Sequence, residues 1–191
     1  MNSLTEQFII LCWAIFLIYW IISSFSVKRT VERQGWGWQR VLILAAVIAA
    51  FILFSRGASL SLDMAMILWP QTLTVGIVAD IITFIGLIIM LWARTALGRN
   101  WSANVVFKEK HELIVRGPYR YVRHPIYSGL LLMVLGAAII QGRVAGFVVF
   151  IACFIGFLFK ALQEERLLTK HFPEAYPDYK ARVKALIPFV L

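Results

Sequence analysis

Residues 125–159 read PIYSGLLLMVLGAAIIQGRVAGFVVFIACFIGFLF, and the one charge among them is Arg143. An α-helix rises 1.5 Å per residue, so about 20 mainly apolar residues cross a bilayer core of about 30 Å. Here two uncharged blocks, 125–140 and 144–159, flank Gln141-Gly142-Arg143, whose glycine and polar neighbours mark a tight turn. The pattern predicts a helical hairpin of two shortish spans, and with it an all-α integral membrane protein.

Working outward, residues 8–25 are uncharged and form a first span, and residues 73–92 form a third, with one charge at Asp80. Residues 41–54 are shorter, but Trp36 and Trp38 extend that block to the membrane surface as a second span. About five transmembrane helices result, in a chain of 191 residues that is 61% hydrophobic and 15% charged. Of the 19 Lys and Arg residues, all but Arg56 and Arg143 follow the first, third or fifth span. Basic loops stay cytoplasmic, so the amino terminus is expected outside and the carboxy terminus in the cytoplasm. No basic run precedes the first block, while Lys28 and Arg29 follow it, which reads as a retained anchor rather than a cleaved signal.

The net charge of +9 is thereby explained by topology. These charges flank spans beside aromatic anchors, where anionic lipid headgroups are nearer partners than nucleic acid. Cys12 and Cys153 lie inside apolar spans with no Cys or His at ligand spacing, which supports neither a disulfide framework nor a metal site. Asp80 stands apart, because a carboxylate in hydrocarbon is costly and usually faces a cavity or a partner.

The chain divides into residues 1–92, with three spans, and residues 93–191, with a polar connection, the hairpin and a polar tail. The connection is dense in turn residues and polar-tipped aromatics: Gly98, Trp101, Asn104, His111, Gly117, Pro118, Tyr119, Tyr121, His124 and Tyr127. Long loops of that composition are often functional. Gly117-Pro118 makes a turn, and Pro125 suits the first turn of the fourth span, where its missing N–H costs nothing. The free N–H groups and positive dipole end there favour an anionic group, with His124 and Tyr127 at the helix mouth and Gly129 permitting close approach. Lys160, Glu164 and Glu165 follow the fifth span, Lys160 and Glu164 sharing a helix face. The Gln141-Gly142-Arg143 turn brings them to the same membrane surface as His124. Each feature also has a structural reading: an interfacial histidine, belt tyrosines and a surface ion pair.

Taken in order, Gly117-Pro118-Tyr119, Arg123-His124-Pro125-x-Tyr127-x-Gly129, Glu164-Glu165 and a tail with Tyr176, Tyr179, Lys180 and Pro188 resemble the isoprenylcysteine carboxyl methyltransferase family. The resemblance covers roughly residues 97–189 and lies within the wider phospholipid methyltransferase group. It implies that residues 93–191 are a methyltransferase core using S-adenosylmethionine, bound by loop and hairpin rather than by a Rossmann domain. Carried over by position, the cofactor site comprises His111, Glu112, Leu113, Ile114, Tyr119, His124, Pro125, Ile126, Tyr127, Glu164 and Glu165. Glu164 would pair with the cofactor's ammonium and His124 would favour its carboxylate, while Lys160, Glu164 and Tyr127 are the candidate catalytic groups. Where eukaryotic members carry Arg one turn before the first Glu, this chain has Lys160, a point charge in place of a bidentate grip.

The implied partners are membrane lipids and a lipidic or prenylated acceptor. A carboxylate acceptor is already ionised at neutral pH, so no general base is needed and alignment does most of the work. The other readings are a phospholipid or amine methyltransferase, an NADPH-dependent membrane reductase, and a non-catalytic membrane scaffold.

Overall fold

The structure, a computed structural model, describes residues 3–24, 30–33, 66–98, 106–108, 113–188 and 190. Among the described residues four apolar helices carry it: α1 (Ser3–Ser24), α2 (Leu73–Leu97), α3 (Pro125–Gln141) and α4 (Val144–His171), followed by a short α5 (Ala175–Arg182). A 3-10 turn spans Gly117–Arg120, and β1 (Thr30–Arg33) pairs antiparallel with β2 (Val106–Lys108). That ribbon is the one addition to the all-α expectation among the described residues.

α1, α2 and α4 are long and apolar enough to cross a bilayer, and α3 is a shorter apolar helix. Their outward faces carry exposed Ile10, Ile18, Ile22, Ile77, Ile81, Ile88, Ile151, Ile155 and Phe159, as a hydrocarbon solvent permits. The hairpin forms as expected. Gly142 closes α3 in the left-handed region at φ 60°, which glycine adopts without a Cβ clash, and its N–H caps Ala138 O.

α2 packs antiparallel on α3 along a seam of small residues. A Cβ on Gly86 would lie 2.6 Å from Gly129 O, and one on Gly129 equally close to Gly86 O. Lipid tails are as apolar as leucine, so close backbone packing rather than a hydrophobic drive holds such helices together. Thr83 sits in the seam fully buried, its hydroxyl donated to Ala79 O at 2.8 Å.

α1 runs parallel to α2. Thr5 near the start of α1 meets Gly76 near the start of α2, and Arg94 at the far end of α2 donates to Ser23 O at 2.7 Å. Arg94 also donates to Gly98 O at 2.7 Å, so one buried guanidinium serves the carbonyl ends of both helices. Two parallel helices require the chain to return between them. β1 pairs with the connection that follows α2, whereas Leu68 N–H donates to Gly142 O at the hairpin turn. Arg33 and Met66 therefore stand at opposite ends of the helices, and between these two residues the sequence expectation put the span 41–54. That span, with Trp36 and Trp38, lies outside the described residues.

Candidate active site

His124 is the N-cap of α3, with Pro125 as its first residue. The hairpin sets α3 and α4 side by side, so about 17 residues after the turn α4 has returned to the level of Pro125. Beyond that level, past the apolar run 144–159, α4 presents Glu164 and Glu165, and both reach His124. The imidazole lies between them, Nδ1 3.4 Å from Glu164 Oε2 and Nε2 3.3 Å from Glu165 Oε1.

The two carboxylates then diverge. Glu164 Oε1 accepts the Tyr127 hydroxyl at 2.5 Å, and its side chain keeps 22% exposure. Glu165 Oε1 accepts Arg123 Nη2 at 2.6 Å and Nε at 2.8 Å, Lys180 Nζ stands 2.8 Å from Oε2, and the side chain is 3% exposed. Burial opposes charge on His124, but its hydrogen bonds to Glu164 and Glu165 outweigh that and hold its pKa above the ordinary value. Burial likewise opposes ionisation of the glutamates; bonds from His124, Lys180 and Arg123 take Glu165 down to about 2, and His124 with Lys160 lowers Glu164.

Three rings stack inward from this cluster. His124 and Tyr127 are 5.5 Å apart and inclined by 8°, and Tyr127 and Phe157 are 5.1 Å apart and inclined by 5°. Lys160 Nζ lies 5.3 Å from the Tyr127 ring centroid, within cation–π range.

The tail crosses the site as a strap. Arg123 N–H donates to Lys184 O at 2.8 Å and His124 N–H to Ala185 O at 2.9 Å. The Ser128 hydroxyl donates to Leu186 O at 2.6 Å, and Arg123 Nη1 also reaches the Val183 carbonyl. From α5, the Tyr179 hydroxyl donates to Tyr119 O at 2.5 Å, tying the helix to the 3-10 turn.

Of the residues singled out in the sequence, Tyr119, His124, Pro125, Ile126 and Tyr127 are buried at this junction, with Lys160, Glu164 and Glu165 facing them from α4. Ile114 packs against the core beside them and Leu113 is half-buried. His111 and Glu112 lie outside the described residues. Both ring nitrogens of His124 face the chain's own carboxylates, and Glu165 is enclosed by Arg123, Lys180 and His124. Arg123 and Lys180 were quoted in the sequence pattern without a role; adjacency to His124 was the one signal for Arg123.

An S-adenosylmethionine ammonium needs a carboxylate that is ionised, shielded from bulk water and still reachable. Glu164 meets all three conditions by its lowered pKa, its enclosure by Tyr127 and His124, and its residual exposure. Glu165 fails the last.

The sequence profile of the family described as phospholipid methyltransferase matches residues 74–175, from the start of α2 to the start of α5. The chain is similar to a probable protein-S-isoprenylcysteine O-methyltransferase of Oryza sativa subsp. indica, 28% identical over 75% of this chain and 82% of that protein. A protein-S-isoprenylcysteine O-methyltransferase of Schizosaccharomyces pombe is 30% identical over 51% of this chain and 43% of its own length. Among solved structures, a eukaryotic intramembrane Ras methyltransferase, isoprenylcysteine carboxyl methyltransferase, shares the fold. It aligns with a TM-score of 0.60 at 22% identity over 82% of this chain, which spans 55% of that protein's length. The chain belongs to the phospholipid methyltransferase family of membrane enzymes, and the relatives it resembles there are the isoprenylcysteine carboxyl methyltransferases.

Proposed function

We propose that this protein transfers a methyl group from S-adenosylmethionine to the carboxylate of a prenylcysteine-like lipidic acceptor at the cytoplasmic face of the bilayer. The observation that carries the reading is Glu164: an ionised, sheltered and reachable carboxylate where two membrane helices and the tail converge. The relatives' names supply the acceptor class.

When bound, S-adenosylmethionine supplies an electrophilic methyl on a sulfonium. Glu164 takes the cofactor's ammonium, and Tyr127, by donating to Oε1, fixes the carboxylate's orientation. His124 in its charged form holds Glu164 ionised and bridges it to the Glu165 cluster. Lys160 stands beside the Tyr127 ring at the bilayer end of the site, where its charge suits an acceptor carboxylate. A carboxylate needs no deprotonation, so these groups act by alignment and by replacing water with fixed charges. The basic residues at the His124 end support a cytoplasmic site and an amino terminus on the outside.

Calorimetry on the detergent-solubilised protein tests the reading, with S-adenosylmethionine and S-adenosylhomocysteine as ligands and NADPH as comparison. Saturable binding of the first two, weakened at least about tenfold by Glu164→Gln with an unchanged melting profile, is the expected result. Binding of NADPH alone would replace this reading with a reductase, and normal binding by Glu164→Gln would displace the ammonium site.

A further inference from the structure

The strap that crosses the site, and the loop it lies on, carry a surface of their own. Residues 113–124 and 183–191 contain four basic residues, Arg116, Arg120, Arg123 and Lys184, and no acidic one. Arg123 is engaged by Glu165, while Arg116, Arg120 and Lys184 are exposed. Interleaved with them are exposed apolar side chains: Val115, Tyr121, Ile187 and Val190, the last at 72%. Val122 and Lys184 form a parallel bridge that sets the two segments side by side, and the Arg120 guanidinium lies 5.0 Å over the Tyr121 ring. Leu186 O accepts the hydroxyl of Ser128, one turn into α3, so Ile187 lies level with the first turn of that apolar helix.

We infer that loop and strap together form a docking surface for anionic phospholipid, with Arg116, Arg120 and Lys184 meeting the headgroups while Tyr121, Ile187 and Val190 sink between them. Cations interleaved with apolar side chains at interfacial depth complement a negatively charged headgroup layer, and a zwitterionic layer offers them no net charge. The docked strap delivers the Ala185 carbonyl to the His124 N–H and the Val183 carbonyl to Arg123. Bilayer charge is thereby coupled to the order of the site. The lipid contact stands on its own geometry; its effect on cofactor affinity rests on the methyltransferase reading.

The test is amide hydrogen exchange over 183–191 in full-length protein. Nanodiscs of phosphatidylcholine alone are compared with discs containing about one third phosphatidylglycerol. Exchange about tenfold slower in the anionic discs, reversed by high salt and lost in the triple variant R116Q/R120Q/K184Q, is the expected result. Equal exchange in both discs, or slowing that survives the triple variant, overturns the proposal. S-adenosylhomocysteine binding, measured in the same discs, separates the two readings: lipid-dependent protection without binding in either disc refutes the cofactor site and leaves the lipid surface standing.

Discussion

Adjacent glutamates on α4 meet different company. Glu165 touches two cations and an imidazole and is shut from solvent, whereas Glu164 touches one imidazole and one phenol and stays reachable. Because the folded-state pKa of Glu165 is depressed to about 2, its contribution to stability is present above an unfolded value of about 4.3 and is lost as pH falls through that window. Melting in detergent between pH 5 and pH 2 should therefore fall more steeply for the parent than for Glu165→Gln. His124 has the opposite sign: its raised pKa gives a contribution that is full below about pH 6.5 and lost as pH climbs through the folded value. His124→Gln should flatten that alkaline limb, and an unchanged limb would remove the imidazole from the charge network. Removing Arg123 as Arg123→Ala leaves a buried carboxylate short of one of its two cations and should cost about 3 kcal/mol in denaturant titration.

At the scale of elements, backbone proximity governs the α2–α3 seam. Gly129→Leu must push against Gly86 O and Met90 and should destabilise by about 1–3 kcal/mol, while Gly156→Leu on α4, with nothing within 4 Å of its Cβ position, should not; melting of both variants checks the contrast. The hairpin was legible in the sequence because a long uncharged run broken by Gln141-Gly142-Arg143 admits few other foldings in lipid. His124 and Tyr127 were legible because each lies within a turn of the start of α3, and Glu164 because it is the first carboxylate after the apolar run 144–159. The Arg123–Glu165–Lys180 cluster was not, since it joins residues 42 and 57 positions apart through a tail whose course no local pattern announces. Nor was Gly86, an ordinary apolar-span glycine until α3 is laid against it.

For the whole molecule, the parallel course of α1 and α2 and the antiparallel hairpin place the site, the ribbon and the tail at one end and the 66–72 segment with Gly142 at the other. Single cysteines introduced at Met66 and Lys184 should react with an impermeant maleimide from opposite sides of sealed vesicles, Lys184→Cys from the cytoplasmic side. Labelling from the same side would overturn this arrangement.

The turn at Gly142 bears also on how the protein is made. With the site in the cytoplasm, as proposed, the hairpin would have to carry only Gln141, Gly142 and the one charge of Arg143 to the far side of the membrane as α3 and α4 leave the ribosome. In the proposed orientation, the basic stretches on either side, from Arg116 to Arg123 before it and from Lys160 onward after it, would anchor both of its ends on the side of synthesis. Insertion can thus proceed as a single paired event, with the two halves of the site, His124 on one arm and Glu164 on the other, brought together as the loop passes through.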